Sequence, residues 1–469
     1  MKRTLPLAAL LLASCDLAPP YHRPAPSAPT TLPSGGAYPV AAAAATSAPD
    51  IAWQEFFVDP ALRQVIATGL VNNRDLRVAL ANIEQARAQY RVQRADLLPT
   101  IAANGSATYA RGSTAETLPG ADRTSHIFSV NAGLSAFEID LFGRVRNLTK
   151  AALEQFLATE EGARATRITL IAELASAYLT MAADQDQLRI SQGTLESFRQ
   201  SYDLTQAQFR LGVTSELEVR QAQTNYEQAR YDIAALQTQI ARDQNALNLL
   251  AGITITADLL PSGLGDRAIT LADLPAGLSS DVLLRRPDVL QAEDRLKAQY
   301  ANIGAARAAF FPQISLTAVA GTLSPALSGL FASGNGTWTV EPAATLPIFD
   351  FGRNAANLRY AKASRDAALA TYEKAIQTAF REVADALAQR GTIHEQIAAR
   401  ADRVTAATTA YRLSDARYRA GVDPFLTTLD AQRTLYGAQQ DLIRTRLGAA
   451  SNLVELYRAL GGGLRSSER

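Results

Sequence analysis

Residues 207–230 read AQFRLGVTSELEVRQAQTNYEQAR, and residues 416–439 read ARYRAGVDPFLTTLDAQRTLYGAQ. The two stretches lie 209 positions apart and share eight of 24 residues. Further matches extend the duplication towards the N-terminus: LFGR at 141–144 with DFGR at 350–353, and Arg94, Ala95 and Pro99 with Arg307, Ala308 and Pro312. Repeats of this size indicate a duplicated domain and not a solenoid, whose units have about 20–50 residues.

Each repeat contains the same predicted series of elements. A helix stops before a proline, two alternating segments follow, and a very long helix leads through a Gly-containing turn into a returning helix. The first repeat, 53–260, is expected to hold helices over 61–95, 144–210 and 215–250 and strands over 99–111 and 124–140. The second, 288–462, is expected to hold helices over 288–309, 353–419 and 424–460 and strands over 312–323 and 336–348. A linker over 261–287 joins them, and 463–469 is expected to be a disordered tail.

The long helices carry a heptad pattern. Counted from Ile171, the d positions are apolar except at Arg390: Leu174, Met181, Leu188, Leu195, Tyr202 and Phe209, then Val383, Arg390, Ile397, Val404, Tyr411 and Tyr418. The a positions of the first repeat become polar along the helix: Ile171, Tyr178, Gln185, Gln192, Arg199 and Gln206. A continuous helix from Arg144 to Arg210 would be about 100 Å long, more than a globular core needs. The half-polar seam therefore favours a tube wall facing water over a dry two-stranded rod.

The short segments alternate with period 2. In the first repeat Phe128, Val130, Ala132, Leu134 and Ala136 share one face, and Ser129, Asn131, Gly133 and Ser135 share the other. The second repeat alternates in the same way through Ile314, Leu316, Ala318 and Ala320, and through Trp338 and Val340. Segments of about ten residues with this alternation are typical of transmembrane strands, and equally of half-buried strands in soluble hairpins.

The first residues are typical of a secretory signal. A basic start precedes nine apolar residues, Leu5 to Ala13, which are too few to span a membrane. The tetrapeptide LASC at 12–15 resembles a bacterial lipobox, in which the cysteine becomes the lipidated first residue. We expect a signal peptide over 1–14 and a lipid on Cys15; an ordinary signal-peptide cysteine is the alternative. Asp16 departs from the simplest pattern, because an acidic residue there resembles an inner-membrane retention signal in some bacteria.

An extended tether is expected to follow the signal. Residues 15–52 contain eight of the 20 prolines of the chain, mixed with Ala, Ser and Thr. Proline fixes φ and removes a backbone donor, so this segment should form neither a helix nor a central strand.

Four strands cannot close a barrel, because small membrane barrels have about eight strands or more. Either the strands form an open soluble sheet or several chains pool them. A secreted, lipidated chain with long amphipathic helices favours pooling. The expected fold class is therefore α+β and mostly α, with an internal duplication, long antiparallel coiled-coil helices and four strands per chain.

Composition excludes several classes of function. The chain has 46 Lys+Arg against 45 Asp+Glu, which provides no basic field for nucleic acid. One Cys allows no intramolecular disulfide, and three His with two Met argue against a dedicated metal site. We expect no cofactor apart from the lipid. The chain also lacks HExxH, P-loop and GxSxG motifs, so an enzyme is the least favoured class.

The stretch LRRPDVLQAEDRLKAQYANIGAARAAFFP at 284–312 resembles the signature of the outer-membrane factors of tripartite efflux systems, in the lipoprotein branch of the TolC superfamily. Trp53, the Phe56-Phe57 pair and FEIDLFGR at 137–144 fit as well, although Phe137 stands where the family often has Trp. The resemblance covers nearly the whole chain.

This resemblance implies an architecture and partners. It implies a homotrimer in the cell outer membrane, with a twelve-stranded transmembrane β-barrel and a periplasmic α-barrel. It further implies a periplasmic adaptor and an inner-membrane resistance-nodulation-division pump that feed small toxic solutes into the duct. The copy number of three comes from the resemblance alone.

The turns between the long helices are candidate docking and gating regions. The resemblance implies that the turns bind the adaptor, through Arg210, Gly212, Val213, Gly421 and Val422. It also implies a closed gate nearby, for which the candidates are Tyr411, Asp415, Tyr418 and Arg419. Simple chain reversal at the glycines and an ordinary i,i+4 surface pair at Asp415 and Arg419 are the alternatives. We expect Asp423 to cap the returning helix and Pro424 to be its first residue.

Two other functions remain possible on sequence grounds. An outer-membrane duct for type I protein secretion would have the same architecture. A secreted coiled-coil scaffold without a pore would need soluble hairpins, and the four amphipathic strands argue against it.

Overall fold

The computed structural model describes residues 16–29, 31–38, 51–113, 122–265, 270 and 280–462. The helices are α1 Trp53–Phe56, α2 Pro60–Asn72, α3 Arg74–Ala95, α4 Arg144–Arg210, α5 Glu216–Ala251, α6 Pro287–Ala308, α7 Arg353–Arg419 and α8 Phe425–Ala459. The strands are β1 Ile101–Arg111, β2 Thr124–Glu138, β3 Gln313–Ser324 and β4 Gly336–Thr345. The predicted signal peptide over 1–14, Cys15 and the predicted tail over 463–469 lie outside the described residues.

The helix expected over 61–95 is interrupted at Asn73. This residue has extended backbone, with φ −58° and ψ 135°, and its N–H donates to the Gly69 carbonyl at the end of α2. Its side-chain oxygen accepts from the Leu76 N–H at 2.8 Å, as an N-cap of α3 would. Its amide nitrogen donates to the Leu250 carbonyl at 2.8 Å. Asparagine can serve both helix ends, and the periodicity of the sequence conceals the break.

The described chain forms two compact units, and both repeats contribute to each. The sheet unit contains 16–25, 82–113, 122–160 and 291–372. The helical unit contains 26–29, 31–38, 51–81, 161–265, 270, 280–290 and 373–462. The compact units therefore do not coincide with the sequence repeats.

In the sheet unit, the strands form one antiparallel sheet in the order β1-β2-β3-β4. The central pairing of β2 with β3 joins the hairpin of the first repeat to the hairpin of the second. Gly133 and Gly321 allow the two backbones to approach. A Cβ on Gly133 would lie 2.2 Å from the Ala318 carbonyl oxygen, and one on Gly321 would lie 2.2 Å from that of Val130.

A β-bulge modifies β2 where it meets β3. The register shifts between Leu134 and Phe137, so β2 holds one more residue than β3 across this interval. Ala136 takes a positive φ of 50° there, and its N–H donates to Thr317 Oγ1 at 3.1 Å. β4 ends at Thr345, short of the expected 348, and Pro347 follows it without an N–H to donate.

The sheet has one apolar and one polar face. The strand registers place Ile101, Leu134, Ala318 and Val340 in one row across the apolar face, with Trp338 beside them. Trp338 is 78% exposed and Val340 is 57% exposed, so neither lies in a dry protein interior. Each edge strand is exposed along its whole length.

Residues 16–25, the part of the tether that belongs to the sheet unit, lie on the helices of that unit. Glu293 on α6 is 2% exposed and accepts from Tyr21 Oη at 3.0 Å and from the Arg23 guanidinium at 2.9 and 2.5 Å. Burial alone would raise the pKa of Glu293, but the Arg23 hydrogen bond, the charge of Lys297 and the Tyr21 hydrogen bond lower it. Residues 16–25 contain no helix or strand, as their prolines predict.

The RRPD motif forms a buried clamp in the helical unit. Arg286 is 4% exposed and forms a fork to Asp288, at 3.0 and 2.7 Å. It also donates to Glu382 on α7 at 2.9 Å and to the Ala459 carbonyl, the last residue of α8, at 2.6 Å. One guanidinium thus fixes the start of α6 to two other helices, a geometry that suits Arg and not Lys.

The heptad prediction agrees with burial in the helical unit. On α4, the early d residues Leu174 and Met181 are buried, whereas the late a residues Gln192, Arg199 and Gln206 are exposed. Phe56, the last residue of α1, stacks on Tyr457 of α8 with ring centroids 4.1 Å apart. The seam is therefore apolar at one end of the helix and wet at the other.

Candidate functional site at the helix turns

The two turns between the long helices have the same backbone hydrogen bonds. The Gly212 N–H donates to the Phe209 carbonyl and the Val213 N–H to that of Gln208, each at 2.9 Å. In the second repeat Gly421 and Val422 repeat both bonds at the same lengths, to Tyr418 and Arg417. Gly212 has φ 70° and Gly421 has φ 73°, a left-handed conformation that favours glycine. Chain reversal therefore fully accounts for the two glycines.

Apolar side chains on these turns are open to solvent. Leu211 is 79% exposed, Val213 73% and Val422 61%, and Arg210 is exposed beside them. Isolated apolar residues on a surface are ordinary, but Val213 and Val422 occupy equivalent places in the two repeats. The turns thus present a matched pair of apolar points with a basic neighbour.

The prediction for the start of α8 is wrong. The helix begins at Phe425 with Pro424 at the N-cap position, and no side chain caps it. Asp423 instead accepts two hydrogen bonds from the Arg417 guanidinium, at 2.6 and 2.8 Å. The bond from Arg417 lowers the pKa of Asp423. The Asp423 carboxylate therefore forms an ion pair across the turn with Arg417 and does not cap α8.

Tyr411, a gate candidate, belongs to a polar network between helices. Its hydroxyl lies 3.1 Å from Ser197 Oγ on α4 and accepts from Gln432 Nε2 on α8 at 3.0 Å. Gln432 is 4% exposed and also donates to Ser201. A cleft of about 290 Å³ lined by Tyr411, Gln432 and Tyr436 adjoins the network. The network links α7 to α4 and α8 by hydrogen bonds alone, which can be exchanged without separating charges.

The other gate candidates lie closer to the turn. Tyr418 donates from its hydroxyl to Gln208 Oε1 on α4 at 2.6 Å, and burial raises its pKa. Asp415 and Arg419 form the i,i+4 pair expected from their spacing, at 2.9 Å. Arg419 is well exposed, so this pair contributes little to stability. The four candidates thus have different partners: Tyr411 bonds Gln432, Tyr418 bonds Gln208, and Asp415 pairs with Arg419.

Two further polar groups were not found from the sequence. The Tyr436 hydroxyl bridges Ser191 on α4 and Asp232 on α5, each at 2.8 Å, and burial raises its pKa to about 12. Asp184 on α4 meets Asp243 on α5, and burial followed by the hydrogen bond and charge of Asp243 raises the pKa of Asp184 to about 6. Both pairings join residues more than 40 positions apart, which no local pattern reveals.

Among the residues with described coordinates, no group of three or more His, Cys, Asp or Glu side chains is placed to hold a metal ion.

Within the same part of the chain, none of the helices is both long enough and apolar enough to cross a membrane.

A duplicated chain with paired long helices and an amphipathic sheet with open edges fits the class of outer-membrane channel subunits. Residues 65–253 and 278–462 match the outer membrane efflux protein family, and the chain belongs to that family. The protein is an outer-membrane efflux protein, as the resemblance of the 284–312 stretch implied.

Named relatives match this chain over nearly its full length. The toluene efflux pump outer membrane protein TtgC of Pseudomonas putida is 48% identical over 460 residues, covering 98% of this chain and 95% of that protein. The outer membrane protein OprJ of Pseudomonas aeruginosa is 44% identical over 459 residues, covering 97% and 95%. The open state of the Neisseria gonorrhoeae MtrE outer membrane channel superposes with a TM-score of 0.86 at 38% identity, covering 96% and 99%.

Proposed function

We propose that three copies of this chain form one duct of a tripartite efflux pump, with a twelve-stranded barrel in the outer membrane and a helical tube in the periplasm. The observation that carries this is the sheet, which has an exposed apolar face and two unpaired edges at β1 and β4. An open edge with such a face is unstable alone in lipid, because each unsatisfied backbone group costs several kcal/mol there. Pairing β4 with β1 of the next copy removes every edge.

The duct conducts solutes and performs no chemistry. A periplasmic adaptor docks at the two turns, and an inner-membrane pump of the resistance-nodulation-division type supplies the energy. The matched apolar side chains at Val213 and Val422, with Arg210 beside them, support this docking surface. The paired glycines Gly212 and Gly421 shape this surface through their positive φ and belong to the same candidate docking surface.

The transported compounds are small toxic organic solutes. The name of the Pseudomonas putida relative, a component of a toluene efflux pump, supports this class. Deletion of the gene should lower the concentration of toluene that cells survive, and the intact gene should restore it. Normal solvent tolerance with loss of a secreted protein would instead support the type I secretion duct.

The duct is anchored by a covalent lipid on Cys15. Labelled palmitate should enter the wild-type protein and not Cys15→Ser. Labelling of both would contradict the anchor. Membrane fractionation of the lipidated protein tests whether Asp16 acts as an inner-membrane retention signal. The proposed duct requires the protein to appear in the outer-membrane fraction.

The assembly and gate are tested on purified protein. The mass in detergent should be that of three chains, and planar bilayers should show channels; a monomer without conductance would overturn the duct. We propose that Asp415 closes the resting channel, where three copies in a narrow bore concentrate negative potential. Asp415→Ala should raise closed-state conductance and reduce cation preference. An unchanged conductance and selectivity would remove Asp415 from the gate.

A further inference from the structure

The seam between the two repeats is visible inside one chain. It consists of the β2–β3 pairing and, beside the sheet, of Phe142 stacked on Phe311 with ring centroids 4.7 Å apart. Gln313 of the second repeat also donates to Glu138 of the first at 2.6 Å. Each half of this internal seam has a counterpart in the other repeat. Those counterparts lie at the two free edges of the sheet, β1 and β4.

The hairpin registers determine which residues are counterparts. Ile101 pairs with Leu134 in the first hairpin, and Ile314 pairs with Ala344 in the second. β1 therefore corresponds to β3 by an offset of 213, and β2 corresponds to β4 by 210 before the bulge. Beyond the bulge, which adds one residue to β2, the offset returns to the 209 of the LFGR and DFGR motifs.

Transferring the internal seam to the free edges gives a specific register. Val130 opposite Thr322 becomes Val340 opposite Tyr109, and Leu134 opposite Ala318 becomes Ala344 opposite Gly105. We propose that β4 pairs antiparallel with β1 of a second copy of this chain, with Val340 opposite Tyr109. The inference rests on the pooled barrel proposed above and adds the register and the contact residues.

The faces of the strands agree with this register. Tyr109 and Gly105 lie on the same face of the sheet as Val340 and Ala344. A shift of one residue would place the apolar row of β4 against the polar row of β1. A shift of two residues would preserve the faces, so face chemistry alone does not choose between these registers. The register of the internal β2–β3 pairing is the observation that distinguishes between registers two residues apart.

The same correspondence predicts a contact beside the strands. Phe142 corresponds to Phe351 by 209, and Phe311 corresponds to Leu98 by 213. Phe351 is 89% exposed and Leu98 is 71% exposed, whereas Phe142 and Phe311 cover each other. Phe351 of one copy therefore packs on Leu98 of the next, and this apolar contact continues the β4–β1 seam.

Cysteine pairs test the register in the intact protein. Residues directly opposite have Cβ atoms about 4.5–5.5 Å apart and diagonal neighbours about 7–8 Å, so a disulfide discriminates between registers. We expect Val340→Cys with Tyr109→Cys to give covalent oligomers on a non-reducing gel. The yield should be at least about fivefold above Val340→Cys with Ala107→Cys or Arg111→Cys. The internal pair Val130→Cys with Thr322→Cys, which the structure places opposite each other, is the matched control for oxidation.

The outcomes separate this inference from the duct. A trimer in which a shifted pair links best, or in which no pair links while the internal control does, overturns the register and leaves the duct standing. A monomer that links through no pair overturns both. If the internal control also fails to oxidise, charge variants test the inference instead. Phe351→Glu should lower the heat-resistant trimer fraction, and adding Leu98→Lys to the same chain should restore it. Failure of Leu98→Lys to restore it overturns the inference.

Discussion

Replacing Asp184 by Asn should stabilise the helical unit, and the gain should grow with pH. Asp243 is 8% exposed, and among the described residues no amide, hydroxyl or guanidinium donor reaches its Oδ2. Its other oxygen accepts from Gln239 at 2.8 Å. A proton on Asp184 is therefore the donor that the pair requires, and Asn supplies an N–H at every pH.

The magnitude follows from the raised pKa. The pKa of Asp184 rises from 3.8 to about 6, because burial and then Asp243 disfavour its charged form. Between these values the folded chain binds the proton and the unfolded chain does not, so wild-type stability falls as pH rises. Taken in full, the pKa shift of Asp184 corresponds to a loss of wild-type folding stability of about 3 kcal/mol at pH 8 and under about 1 kcal/mol at pH 4. Screening at the half-buried Asp184 reduces the expected gain at pH 8 to about 1–3 kcal/mol.

Thermal unfolding of the detergent-solubilised protein measures this difference. Circular dichroism at 222 nm, at one scan rate, should give an apparent Tm for Asp184→Asn about 2–6 °C above wild type at pH 8. At pH 4 the difference should be below about 2 °C. Asp203→Asn, an exposed position on the same helix, is the matched control and should show no pH-dependent gain. An equal shift at both pH values, or a less stable variant at pH 8, would refute the shared proton.

Substitutions at three other features, the Arg286 clamp, the Gly421 turn and the Glu293 contact, give independent checks. Arg286→Lys should lower the apparent Tm and Arg286→Ala should lower it further, because a buried charge left unpaired costs about 3–5 kcal/mol; unchanged melting would show that the clamp is dispensable. Gly421→Ala should destabilise by about 1 kcal/mol through its positive φ, whereas Gly437→Ala, in open space on α8, should be neutral or stabilising. If Gly421→Ala and Gly437→Ala changed the stability in the same direction and by the same amount, the argument from the positive φ of Gly421 would be contradicted. Glu293→Gln should accelerate hydrogen exchange of residues 16–23 about tenfold, since hydrogen bonds to a charge contribute about 1.5–3 kcal/mol; unchanged exchange would mean that other contacts hold the tether.

Local patterns predicted the long elements well. α4 and α7 begin and end at the expected residues, because heptad periodicity and the flanking glycines are local signals. The same signals failed at Asn73 and at Asp423. Asn73 bonds two partners at once, Leu76 and Leu250, whereas Asp423 pairs with Arg417 and leaves the helix uncapped. Both outcomes depend on groups that the fold brings near. Leu250, which accepts from the Asn73 amide, is 177 positions away.

The candidate site was predicted less completely. The glycines and exposed apolar residues of the turns could be located from the repeat alone. The partners of Tyr411 could not, because Ser197 lies 214 positions away on another helix. The raised pKa of Asp184 beside Asp243 was equally hidden, since burial decides a pKa and burial is a property of the packed helices.

The sequence by itself determined the duplication, the lengths of the long helices, the alternation of the strands and, through its motifs, the family. These features are periodic or contiguous, so neighbouring residues suffice to specify them. Only the tertiary structure decided that β2 pairs with β3, that a bulge shifts their register, and that Phe142 covers Phe311 while Phe351 stays exposed. The physical reason is that strand pairing and side-chain packing depend on distances between remote segments, and those distances exist only once the chain has folded.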